Sequence, residues 1–182
     1  MKRIVLIFGL ISGVIASALM FLTVPFMKNG TVNDHNGLVI GYSAILLSFL
    51  LVFFGIRSYR ENNGGTISFG RAFSVGILIT LISCAFYVAS WEVIYFNIMP
   101  DYAERYGAHR IEALQRKGAS ASEIADMRKK MQSMKAMYDN PLTNAAMTFV
   151  EPFPVGLVVT LVSAAILRRR TAVQSGPVTA VA

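Results

Sequence analysis

One cysteine, one tryptophan and two histidines are all that 182 residues supply of those types. A lone thiol, Cys84, closes no intramolecular disulfide and builds no cysteine-based zinc site, so the redox compartment stays open. Charge is scarce as well: Asp, Glu, Lys and Arg make up 15% of the chain, against the roughly 25% usual in soluble domains. Catalytic patterns are missing too. Neither G-x-S-x-G nor H-E-x-x-H occurs, and Gly64, Gly65 and Gly70 fit neither G-x-G-x-x-G nor a P-loop with its following Lys-Ser/Thr pair. His35, beside Asp34, and His109 stand apart in the sequence. The expectation is therefore a non-enzyme, with no cofactor and no metal site.

What the chain has in abundance is hydrophobic sequence, 54% of residues. It is gathered into runs long enough to cross a bilayer, for which about 18 apolar residues are needed. The central run follows Ile67-Ser68-Phe69-Gly70-Arg71, and from Ala72 to Trp91 it holds no Asp, Glu, Lys or Arg. Four spans are expected, at about 4–27, 38–56, 72–96 and 142–167. Met1-Lys2-Arg3 followed by an apolar run also suggests a signal peptide, with Ala16-Ser17-Ala18 as its small-residue site. The run exceeds the about 7–15 residues of a signal core, which favours an uncleaved first span.

The formal net charge of +7 sits mostly beside the spans, at Lys2 and Arg3, at Arg57, Arg60 and Arg71, and at Arg168 to Arg170. This is the positive-inside pattern. It places both termini in the cytoplasm of a multi-pass protein of the bacterial inner membrane, with anionic lipid headgroups as partners. Nothing interleaves aromatics with a basic surface, so nucleic acid is not expected as a partner.

Small residues recur every fourth position on two spans, Gly9, Gly13 and Ser17 on the first and Ala72, Gly76 and Thr80 on the third. Such faces let helices approach closely. The second face is expected to receive the first, or a second copy of the chain in a homo-oligomer.

Between the third and fourth spans, residues 100–140 change character. Tyr102, Tyr106, Ile111 and Leu114 give one helical pattern that stops at Gly118, and Ser120-Ala121-Ser122-Glu123 is a capping box that opens another. Ile124, Met127, Met131, Met134 and Tyr138 form a narrow stripe, to be covered by the preceding helix, the bilayer surface or another subunit. Met131, Met134 and Met137 also raise soft-metal capture, although an apolar packing face is the plainer reading of a methionine stripe. Asn140-Pro141 supplies the cap and first residue of the last span.

Several stretches together, KNGT and NGLVIGYS early on, RSYRE before the Gly64-Gly65 turn, ISFGRAFSVGILITLIS, Asp101-Tyr102, Asp139-Asn140-Pro141-Leu142 and FPVGL, give a pattern that resembles a bacterial membrane family known as domain of unknown function 4199. The similarity runs over about residues 1 to 170. What the resemblance implies is a four-helix integral membrane protein; it implies no activity, substrate or site residues.

The fold expected is thus all-α and polytopic. A single domain, 1–170, has four transmembrane helices and an external helical hairpin at about 100–140, and 171–182 reads as a disordered tail. Its chemical lead is a pair of carboxylates within apolar sequence, where charge is costly unless paired, wet or protonated. Glu92 follows Trp91, and Glu151 precedes Pro152 and Pro154, which should break the helix there. Counted at about 1.5 Å per residue from Arg71 and Arg168, both reach similar depth. Two functional readings follow. The leading one is a non-enzymatic scaffold or interaction module that presents the hairpin to a membrane partner. The other is a small proton- or cation-coupled carrier or channel using Glu92 and Glu151, with the broken helix as its gate.

Overall fold

A computed structural model describes residues 1–29, 31 and 36–168. Among them every regular element is helical: α1 (Lys2–Lys28), α2 (Gly37–Glu61), α3 (Phe69–Val93) running into a π-helical turn (Ile94–Ile98), α4 (Tyr102–Arg116), α5 (Ala121–Tyr138), α6 (Pro141–Val150) and α7 (Pro152–Leu167). The Asp34/His35 pair, Arg169, Arg170 and the 171–182 tail lie outside the described residues.

Four helical stretches are long and apolar enough to cross a membrane: Lys2–Lys28, Gly37–Glu61, Phe69–Ile98 and Pro141–Leu167. Each is buried within the molecule over only 28 to 39% of its apolar window. The remainder turns large apolar side chains outward, among them Leu22, Leu38, Val39, Leu142 and Ile166. In water such surfaces would be untenable, and in lipid they are the solvent-facing side.

The helices extend past the apolar runs at both ends, since polar flanks such as Arg57–Glu61 continue the helix through an i,i+4 ion pair of 2.8 Å. α1 continues past Pro25 to Lys28. Pro25 sits in the last turn, where one lost backbone donor matters least. The fourth span does break. Glu151 separates α6 from α7, with Pro152 opening the second piece.

Within the bundle α2 and α3 touch across the middle, with α1 on one flank and the fourth span on the other. Close approach is made by glycines, but not in the pairing that the spacing suggests. Gly9 and Gly13 of α1 face Ile82 and Phe86 of α3. Gly76 of α3 faces Thr160 of α7 and Ile56 and Val52 of α2. The two small-residue faces therefore do not meet each other: Gly9 and Gly13 take large side chains of α3, while Gly76 and Thr80 meet Gly156 and Thr160 of α7 along with Ile56 and Val52 of α2. Knob-into-gap packing of this sort gains more dispersion contact than two flat faces would.

Hydroxyls cross-link the same interfaces. Ser12 donates to the Ser48 carbonyl (2.8 Å) and to Ser83 Oγ (3.1 Å), tying α1 to α2 and α3. Ser90 donates to Ser17 Oγ (2.7 Å), and Thr80 and Thr160 share a bond of 3.1 Å between α3 and α7. Each such bond in a membrane contributes about 0.6 kcal/mol on average.

α4 and α5 pack against each other as the chain reverses through Gly118, whose φ of +74° suits glycine at a helix C-terminus. The capping box at Ser120 and Glu123 is complete. The stripe from Ile124 to Tyr138 is half-buried throughout, and Met131 lies against Gly107 of α4. Met137 is 45% exposed, off the stripe, so the three-residue methionine series does not share one face.

Candidate functional site

The basic residues at the ends of the spans collect at one end of the bundle. α1 and α2 run antiparallel, so Lys2 and Arg3 begin where Arg57 and Arg60 finish. Arg60 reaches the Leu167 carbonyl (3.5 Å), and Arg71 donates to Tyr59 Oη (3.3 Å). The opposite end carries the α4–α5 pair and, beneath it, a cavity of about 540 Å³. That size falls within the roughly 300–1,000 Å³ of small-molecule sites.

The cavity lies among three of the spans. Ala16, Met20 and Met27 of α1 make one wall, Gly41, Tyr42 and Ile45 of α2 another, and Tyr87 and Trp91 of α3 a third. Tyr102, Tyr106 and Arg110 of α4, with Met134 and Tyr138 of α5, make the roof. Trp91 stacks edge-on against Tyr102, with ring centroids 5.1 Å apart, so the third span is joined directly to the roof.

The roof is pinned at three points. Tyr95, 2% exposed within the π-helical turn, donates to Asp139 Oδ1 (2.9 Å) at the end of α5. Lys135 bridges Asp139 (2.7 Å) and Glu104 of α4 (3.6 Å). Arg105 donates to the Lys28 carbonyl (2.9 Å) at the end of α1. The Lys135 ammonium, and after it the Tyr95 hydroxyl, hold the Asp139 carboxyl below its ordinary value, and Asp139 in turn raises Lys135. The π-helical turn carries the chain out of α3 with the Met99 amide bonded back to the Ile94 carbonyl, five residues earlier (2.7 Å). The wider turn buries Ile94 and Tyr95 together.

Glu151 lines the cavity at the break between α6 and α7. Tyr87 Oη donates to its Oε2 (3.0 Å). No Lys or Arg is paired with it among the described residues, and it is the one carboxylate lining the cavity. The opposite face of the cavity carries Arg105, His109 and Arg110 from α4. Arg105 is also near Asp101 (3.8 Å), and the Arg110 guanidinium lies over the Tyr106 ring, 5.5 Å from its centroid. The lining thus runs from basic at the roof, through aromatic and thioether side chains, to an acid at the floor.

Glu92 is placed differently. It does not line the cavity, and its Oε1 is buried without a hydrogen-bond partner, as is Trp91 Nε1. Glu92 lies five residues past Tyr87, about 140° further round the helix, which turns it from the face that meets Glu151. The depth count therefore brought two carboxylates to one height without bringing them to one face. Tyr87 is the partner that Glu151 has, and the spacing of Tyr87, Trp91 and Tyr95 at every fourth residue was the signal for it.

Four apolar spans, outward-facing hydrophobic side chains and a cavity roofed by a polar helix pair define a multi-pass helical membrane protein. The family profile described as "Protein of unknown function (DUF4199)" matches residues 7–169, and the chain belongs to that family. No curated protein and no solved structure matches the chain.

Proposed function

We propose that the protein is a non-enzymatic interaction module of the bacterial inner membrane, in which the four-helix bundle presents the α4–α5 pair to a partner on the outer side. Support comes chiefly from α5. None of its residues is buried, its half-buried stripe is turned to α4 at Met131 and to the cavity at Met134 and Tyr138, and Arg128, Lys129 and Lys130 are exposed. A helix pair so firmly pinned yet so little buried is built to display side chains rather than to fill a core. The gathering of basic residues at the other end supports both termini being cytoplasmic, in contact with anionic headgroups. The faces of Gly9, Gly13 and Gly76 are occupied within the chain, so a homo-oligomer would use other surfaces. Among the described residues the cavity lining holds no serine or cysteine nucleophile, which favours binding over catalysis.

The test is site-specific photocrosslinking in intact membranes from Lys129 on α5 and from Leu50 on the outward face of α2. An interaction module gives one discrete protein adduct from position 129, lost when Tyr102–Tyr138 is replaced by a flexible linker, and only lipid adducts from position 50. Lipid adducts alone from both positions would remove this reading.

The break at Glu151 favours a second reading, a proton- or cation-coupled carrier using Glu92 and Glu151. Reconstituted protein would then show pH-dependent flux abolished by Glu92→Gln and by Glu151→Gln alike. Only Glu151 reaches the cavity, so equal loss from both is the outcome that would favour a carrier over a binding module.

A further inference from the structure

We propose that the cavity beneath the α4–α5 roof binds an organic ammonium group, seated between the Glu151 carboxylate and the faces of the surrounding aromatic rings. This deepens the interaction-module reading by giving it a ligand class. Three observations converge on it. Among the described residues Glu151 is the only anionic side chain in the lining, and its hydrogen-bond partner is a neutral hydroxyl, Tyr87, bonded to Oε2. Glu151 is exposed rather than packed away, and at the depth of a span a carboxylate with no cation of its own creates a demand for positive charge. Trp91, Tyr42, Tyr102 and Tyr138 line the same cavity, and aromatic ring faces attract ammonium groups, most strongly when water is excluded. Finally, the guanidinium groups of the lining come from α4, and among the described residues no Lys or Arg forms an ion pair with Glu151.

The same arrangement argues against an anionic ligand at the floor, which would face an unneutralised carboxylate. It also argues against a bare metal ion: among the described residues no group of three or more His, Cys, Asp or Glu could hold one. Methionine and tyrosine walls suit an alkylated or arylated ammonium, whose apolar body they contact.

Trp91 is the sole tryptophan of the chain and lines the cavity, so its fluorescence reports occupancy directly. The full chain in maltoside micelles is titrated with benzyltrimethylammonium and with its uncharged isostere neopentylbenzene. The expected result is saturable quenching by the cation, at least tenfold tighter than by the isostere. Glu151→Gln should remove that preference, weakening the cation at least tenfold, while Glu92→Gln stays within twofold of wild type. Gly41→Phe supplies a second variant, because a side chain there projects into open space within the cavity and fills it. It should abolish quenching, with folding checked by the thermal midpoint.

Equal binding of the two probes, equal loss in Glu92→Gln and Glu151→Gln, or binding that survives Gly41→Phe would each overturn the proposal. Organic extracts of the purified protein then identify the source. One ammonium-headgroup lipid retained per wild-type chain and lost in Gly41→Phe points to a lipid, and none retained points to a free organic cation. If no probe binds while the α5 crosslink persists, the ligand assignment fails and the interaction module stands. If the probes bind as expected and no crosslink forms, the reverse holds.

Discussion

At the basic end of the bundle Val52, Ile56, Val75, Ile79 and Ala164 are wholly buried, whereas at the other end only a small cluster of Val24, Ile94 and Met99 joins α1 to the end of α3, beside a cavity of about 540 Å³. The difference lies in side-chain shape. The closed end pairs β-branched residues with glycines, so that backbones approach closely. Gly55 sits against Ile79 and Phe8, Gly76 against Ile56 and Thr160, and Gly156 against Thr80 and Phe49. The open end uses Tyr, Trp and Met, and it is propped by the pinned α4–α5 roof and by the break at Glu151. One end is built for rigidity and the other for occupancy, within the same four spans.

The sharpest way to break that contrast is to add one methyl group at each end. At Gly156 a Cβ would collide with Thr80 and the Phe49 ring, and Gly156→Ala should destabilise by about 1–3 kcal/mol through overpacking. At Gly41 a Cβ meets nothing within 4 Å, and Gly41→Ala should be neutral or stabilising by up to about 1 kcal/mol. Thermal unfolding in micelles should show the midpoint falling by several degrees for the first and holding or rising for the second. Equal losses would mean that the two ends are packed alike.

Next in size is Asn144, fully buried where α6 meets the roof. Its amide donates to the Tyr138 carbonyl (3.0 Å), and its oxygen accepts from Thr148 (3.1 Å). Asn144→Leu leaves both partners unpaired, a loss of about 1–3 kcal/mol. Hydrogen exchange should report it in α5 and α6 first, because the closed end does not depend on that residue. Protection lost uniformly across all four spans would show that the open end has no independent stability.

The spans and helix ends were largely legible in the sequence and the way their faces meet was not, for reasons that the residues themselves explain. Long apolar runs dictate spans wherever they occur, and Ser120/Glu123, Asn140-Pro141 and Glu151-Pro152 mark helix ends by local chemistry alone. All of these are found in the structure. Which faces meet is a tertiary matter. The four-residue spacing of Gly9 and Gly13 announces a close approach but says nothing of what fills it, and Ile82 and Phe86 do. Glu92 and Glu151 were matched by depth, a one-dimensional count that ignores rotation about the helix. Tyr87, which does meet Glu151, blends into an aromatic-rich stretch that also suits an interface. The cavity itself has no signature, since it is defined by what the helices leave unfilled.

A smaller effect tests how the roof is held. Tyr95→Phe removes the bond to Asp139 while keeping the ring in its packed place, and it should weaken the roof by about 0.5–1.5 kcal/mol. Asp139 would keep Lys135, so its carboxyl should move part of the way back toward its ordinary value, which a carboxylate NMR titration reads. Faster exchange confined to α5, with the spans unchanged, is the expected pattern. A change in the global midpoint instead would make the roof part of the bundle core.

The smallest effect belongs to the first turn of α5, farthest from both ends of the bundle. Glu123 accepts from the Ser120 amide (2.7 Å) and hydroxyl (2.8 Å), and these bonds, the backbone one foremost, hold its carboxyl below the ordinary value. A carboxyl depressed in the folded state contributes stability that is fully present above its unfolded value, about 4.3. That contribution is lost as pH falls through the lower folded value. Acidification below about pH 4 should therefore fray residues 121–124 before the Asp139 tether yields, since only the latter also has an aromatic hydroxyl and a lysine holding it. Ser120→Ala should produce the same fraying at neutral pH, a local loss of about 1 kcal/mol. Glu123→Gln should remove the acid dependence of that turn. If either change alters probe binding in the cavity, the roof transmits strain along α5, and the open end is a coupled unit rather than a rigid lid on a rigid box.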